Sequence, residues 1–188
     1  MKNYTRQSAF IVKCNILIMT SYVFLFSQGI IIDHTCTDIT IIPEAAISQA
    51  KAMLHIGYGH TSHGSQITEG MTGLVSFANN GGLGLSHPQD IFKWNNGGTG
   101  GALDLEEGSA YQTGWLELDC GYYPEWVNET RAYLEDPSHS DVNVIIWSWC
   151  GEAATYTEQQ MIDRYLSPMS QLESDYPNIS FVYMTCLL

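Results

Sequence analysis

Two short apolar runs flanking one amphipathic helix, between residues 141 and 185, constrain the fold most. Asp141-Val142-Asn143-Val144-Ile145-Ile146-Trp147-Ser148 is β-branched and uncharged past its first residue, the pattern of a strand buried on both faces. Cys150-Gly151 ends it. Thr157 and Gln160 match a capping box, and Met161, Ile162, Tyr165, Leu166, Met169 and Leu172 follow at helical spacing, with a kink expected at Pro168. Tyr176-Pro177-Asn178 turns the chain into a second buried strand over 179–185. Strand–helix–strand of this kind closes as a parallel pair with a right-handed crossover, so the chain reads as an α/β protein with a parallel sheet. Such sheets carry helices on both faces, yet the sequence stops three residues past Thr185. The sheet is therefore expected to be incomplete at its C-terminal end.

Upstream, Pro43 and Glu44 open a helix through Ala45, Ile47, Ala50 and Met53. Residues 54–58 read as a strand. A second helix after Ser65 carries Ile67, Met71, Leu74 and Phe77, and Asn79-Asn80-Gly81-Gly82 closes it. Residues 79–126 are rich in glycine, asparagine and aromatics and lack a period. They read as an ordered insertion over the sheet's upper edge, with Asp104, Glu106, Glu107, Glu117 and Asp119 on a solvated face. A short helix over 126–134 follows.

The first residues have the pattern of a secretory signal peptide. Lys2, Arg6 and Lys13 precede an uncharged apolar run over 14–26, and Ser27-Gln28-Gly29 offers small residues for cleavage after Gly29. The run is short for a membrane span. The expectation is a leader over 1–29, one domain over 30–188, and a secreted or periplasmic protein with no membrane attachment after cleavage. The leader holds three of the seven basic residues and none of the twenty acids. The remaining surface is strongly acidic and repels a phosphate backbone, which excludes general nucleic-acid binding. Cys36, Cys120, Cys150 and Cys186 are left after cleavage, and their spacing selects no pairing. Nothing in the sequence sets the oligomeric state.

Chemistry concentrates where the first strand ends. His55-Ile56-Gly57-Tyr58-Gly59-His60-Thr61-Ser62-His63-Gly64-Ser65 delivers hydroxyls and imidazoles to a strand-to-helix turn, the place where open α/β sheets put their sites. Ser62 is the candidate nucleophile, and His60 and His63 are candidate bases. Gly64 and Ser65 would supply backbone N–H groups to an oxyanion. The alternative for Ser62 and Ser65 is helix capping, and for the histidines, bonds to loop carbonyls. His55, His60 and His63 together also suggest a metal, but His55 lies in the strand and the other two beyond it, so no metal site is assigned. Ser148, Cys150 and Gly151 end a second strand and would face the same crevice. The alternative there is packing of Trp147 and Trp149 under a loop. Asn95 to Gly101 matches no phosphate-binding spacing, and a backbone N–H such as that of Gly98 is a candidate to complete an oxyanion hole.

Strand, His60-Thr61-Ser62-His63-Gly64, then helix resembles the first block of the SGNH/GDSL-type hydrolase superfamily, in divergent members whose turn is histidine-rich. Trp147-Ser148-Trp149-Cys150-Gly151 stands where that superfamily's third block follows its central strand. The resemblance spans residues 52–185. It implies a flavodoxin-like three-layer α/β/α fold, no cofactor, and attack by Ser62 on an ester, a carbohydrate ester being one candidate. The superfamily's late Asp-x-x-His would follow the last strand and does not occur in this sequence; the expectation is that it lies in a lost C-terminal segment, that His60 or His63 substitutes, or that the chain is inactive. A binding protein without turnover, or a His-dependent metal hydrolase, are the alternatives.

Overall fold

The computed structural model describes residues 29–109 and 115–185. The leader residues 1–28 and Cys186 lie outside the described residues. Contacts divide the chain after Thr37. Before that point, the described segment holds one short 3-10 turn, His34–Cys36, whose Asp33 carboxylate accepts the Thr35 N–H at 2.8 Å.

From Asp38 onward the order is α1 (Glu44–Met53), β1 (His55–His60), α2 (Ser65–Asn79), β2 (Trp94–Asn95), β3 (Leu103–Ser109), α3 (Glu125–Glu135), β4 (Val144–Trp147), α4 (Glu158–Met161), α5 (Ser167–Asp175) and β5 (Ser180–Val182). All pairings are parallel, in the order β2-β3-β1-β4-β5. This is an α/β fold with a flavodoxin-like strand order and a short extra edge strand. From β1 the chain crosses to β3 on one side, then returns over β1 to β4 on the other.

Strand alternation assigns the two faces. Ile56, Tyr58 and Leu105 form one cluster, packed by Met71 of α2 and by Val144 and Ile146. Ile145 and Trp147 belong to the other, with Trp126 and Tyr133 of α3 and Met169 and Leu172 of α5. On this second face β1 presents His55 at its start and then Gly57 and Gly59. A Cβ on Gly59 would stand 2.4 Å from the Trp147 ring, and one on Gly57 2.9 Å from Tyr133. These glycines continue the strand, which runs on to His60 instead of ending at Tyr58; they make room for large rings of the neighbouring elements.

Residues 79–126 are not a cover over the sheet. They contain β3, which pairs with β1 along its whole length. Asp104, Glu106 and Glu107 are half-buried on it and are partnered: His55 Nδ1 lies 2.8 Å from Asp104, Tyr133 donates its hydroxyl to Glu106 at 2.8 Å, and Thr68 donates to Glu107 at 2.6 Å. Asp119 is fully buried. Asp104, Glu106, Glu107 and Asp119 therefore do not form a solvated face.

The capping box forms at Thr157 and Gln160. The helix behind it is interrupted by a π-helical turn, Ile162–Leu166, before Pro168. Proline has no N–H for the carbonyl four residues back, which is that of Arg164. The Trp126 indole N–H takes that carbonyl instead, at 3.2 Å.

Candidate functional site

The C-terminal ends of β1 and β4 lie side by side at the point where strand order reverses. The Ser148 N–H donates to the Gly59 carbonyl at 3.0 Å, carrying the pairing one residue past β4. The two sequence constellations therefore meet at one crevice, the usual ligand position in open parallel sheets.

Beyond His60 the chain makes a tight turn, Ser62–Gly64, and enters α2 at Ser65. Ser62 is exposed and held at φ 28°, in the left-handed region that a serine enters only at a cost. Its hydroxyl makes no hydrogen bond to a described residue. The turn is fastened from below. Tyr58 donates its hydroxyl to the Gly64 carbonyl at 2.8 Å, and the Gly64 N–H reaches the Thr61 carbonyl at 2.7 Å. A Cβ on Gly64 would collide with His60 Cβ and Ser148 Oγ, so this close approach requires glycine. Burial pushes the Tyr58 phenol up to about 12, so it stays a donor at neutral pH; the nearby Ser148 hydroxyl lowers it less, and the Glu107 charge raises it further. The Ser148 oxygen approaches Tyr58 closely enough for that influence but sits in no hydrogen-bond geometry.

The histidines part company. His60 is the last strand residue, 2% exposed, and points to the α2 face. Its Nε2–H donates to the Glu107 carboxylate at 2.9 Å, which leaves Nδ1 buried and without a partner. His63 is exposed, and its Nδ1 lies 3.0 Å from Cys150 Sγ. His55, at the opposite end of β1, pairs with Asp104 and reaches Asp141 at 3.6 Å. The three imidazoles thus have three separate partners, and they converge on no common point.

Ser65 is the first residue of α2; its N–H closes the preceding turn and its hydroxyl donates to Glu69 at 3.1 Å, an intrahelical role. Ser148 is buried beneath Gly64 and does not open to the crevice. Cys150 is half-buried and Gly151 exposed at the rim. Gly98 is placed elsewhere. It packs against Asp104, the partner of His55, and so lies at the N-terminal edge of the sheet. The five residue steps of β1 from His55 to His60, roughly 17 Å at strand rise, separate that edge from the turn that carries Ser62. Gly98 cannot complete an oxyanion hole at Ser62, because the loop that carries it leads into the start of β3 and not over its end.

Asp119 joins the crevice without having been expected there. Its carboxylate accepts from the Thr61 hydroxyl and from the Gly121 N–H at 2.8 Å. Burial raises it above the ordinary aspartate value, against the lowering effect of those hydrogen bonds, and the Glu152 charge raises it further. The one sequence signal is that Asp119-Cys120-Gly121 and Cys150-Gly151-Glu152 each set an acid beside a Cys-Gly step. A shallow groove lined by Val75, Asn79, Asp90 and Trp94 contains none of these residues. Among the described residues no helix is long and apolar enough to cross a membrane. Cys36, Cys120 and Cys150 are free thiols.

Fold and edge define a class: an α/β protein of flavodoxin-like order with a polar crevice at its topological switch point. Comparisons with family models, with curated proteins and with solved structures find no match to this chain.

Proposed function

We propose that the chain hydrolyses ester bonds with Ser62 as nucleophile, on a plan like that of the SGNH-type hydrolases. The observation that carries the reading is the pairing of a strained, exposed, unengaged serine with an oriented imidazole two residues earlier. Glu107 holds His60 by Nε2 and leaves the buried Nδ1 as an unpaired acceptor, which gives a base and its orienting group beside the candidate nucleophile. Ser62 Oγ attacks the ester carbonyl and its proton passes to His60 Nδ1. The alcohol departs with that proton, and water then releases the acid from the serine. At rest Ser62 does not touch Nδ1, so the serine rotates inward when substrate fills the crevice. Exposed Tyr122 and Tyr123, next to Gly121, favour an acetylated carbohydrate, whose sugar faces stack on aromatic rings. Export through the leader fits such a substrate.

Turnover of aryl acetates and acetylated oligosaccharides by the chain tests this. Ser62→Ala is expected to abolish it, and Glu107→Gln to lower kcat by about 10²-fold or more. Wild-type rates that persist in Ser62→Ala refute it. The missing Ser62–His60 contact favours a second reading, a binding protein without turnover. Glycan binding that survives Ser62→Ala with no hydrolysis by the wild type would select that one.

A further inference from the structure

Beside Ser62 stands a group of side chains that ester hydrolysis does not use. Asp119, Cys150 and Glu152 each offer one donor atom, and these atoms lie within 4.8 Å of one another. His63 brings Nδ1 to 3.0 Å from the Cys150 sulfur. Asp119 is 0% exposed, and Glu152 is pressed over its loop so closely that a Cβ on Gly121 would meet Glu152 Cβ at 2.7 Å. Glu152 Oε2 is sealed from solvent and accepts no hydrogen bond. A carboxylate oxygen in that position is costly unless a positive charge or a proton meets it.

The donor set decides between two uses of Cys150. Nucleophilic thiols sit in electropositive surroundings that favour the thiolate. Here two carboxylates flank the thiol within 4.8 Å alongside the His63 imidazole; the carboxylates disfavour a free thiolate but attract a cation able to bind one, and the imidazole is a further ligand for it. We infer that Asp119, Cys150 and Glu152, with His63 on the open side, form a binding site for a divalent cation of the zinc class. Thiolate and imidazole beside carboxylates suit zinc, whereas calcium and magnesium take oxygen ligands. Zinc bond lengths of about 2.0–2.3 Å place ligands roughly 3.5 Å apart, so the side chains draw together on binding. Cys150 binds as thiolate and its proton goes to solvent. The inference does not rest on the esterase reading and holds whether or not Ser62 is a nucleophile.

The test titrates the reduced full chain with Zn²⁺ against a chromophoric chelator, and with Co²⁺ by absorption. The expected result is about one ion per chain and a near-ultraviolet thiolate-to-cobalt band. Cys150→Ser should remove that band. Glu152→Gln should weaken Zn²⁺ binding by more than about tenfold, with an unchanged far-ultraviolet circular dichroism spectrum. Should Cys150→Ser fail to fold, Glu152→Gln, which keeps the side chain's shape, and His63→Ala, at an exposed position, carry the test. No ion bound by the folded wild type overturns the inference. So does binding that survives these substitutions, because the ion would then lie elsewhere.

Discussion

Substituting Gly59 by alanine adds one methyl group at the centre of the sheet, and the structure predicts a large loss of stability. The new Cβ would stand 2.4 Å from Cε3 and Cζ3 of Trp147. Neither partner can retreat easily. β1 is paired on both sides, and Trp147 is completely buried, edge-on to Trp126 at 6.0 Å, with its Nε1–H donated to Thr130 Oγ1 at 2.8 Å. Overpacking costs about 1–3 kcal/mol. Pushing the indole off Thr130 strands a buried N–H, for about 1–3 kcal/mol more. The expected loss is therefore about 2–6 kcal/mol, a large part of a domain's stability. Urea unfolding followed by tryptophan fluorescence reads it as a midpoint lowered by roughly 1–3 M. The sign is decisive, because alanine at an unstrained glycine position stabilises by about 0.4–1 kcal/mol. Gly70, in α2, supplies the control: a Cβ there meets nothing within 4 Å, so Gly70→Ala should raise the midpoint. A Gly59→Ala midpoint equal to or above wild type would refute the packing argument.

Thr130→Val removes the acceptor of the Trp147 indole while keeping its shape, and should cost about 1–3 kcal/mol in the same assay. Ser62→Gly relieves the positive φ and should stabilise the fold by about 1 kcal/mol while abolishing ester turnover; a destabilised variant would show that the turn is not strained. Asp119 binds its proton more tightly in the folded chain than in the unfolded one, chiefly through burial. Stability should therefore fall as pH rises from the ordinary aspartate value of 3.8 through the raised folded value. Asp119→Asn should flatten that segment of a stability-against-pH curve, and an unchanged slope would contradict the assignment.

The elements nearest to sequence rules were the legible ones. Thr157 and Gln160 cap their helix as the motif requires, and Val144 to Trp147 form the buried strand that their branching demands. β3 was not legible, because Asp104, Glu106 and Glu107 read as solvated until His55, Tyr133 and His60 supply their partners from distant parts of the chain. The position of Gly98 was not legible for the same reason: its edge of the sheet is fixed only by the pairing of Asp104 with His55. Gly57 and Gly59 looked like the end of a strand because the rings that need their empty side belong to α3 and β4. That the turn at Ser62–Gly64 and Cys150 lie at one sheet edge was legible, since both follow strands that a parallel sheet brings together. The orientation of His60 by Glu107 was not, since it depends on β3.

The esterase assignment stands or falls on the reactivity of one hydroxyl. Treating the folded chain with a fluorophosphonate and measuring intact mass before peptide mapping tests it most directly. The account predicts one adduct per chain, on the peptide that carries Ser62, formed slowly or not at all in Glu107→Gln. An unmodified chain, or an adduct that persists in Ser62→Ala, would contradict it.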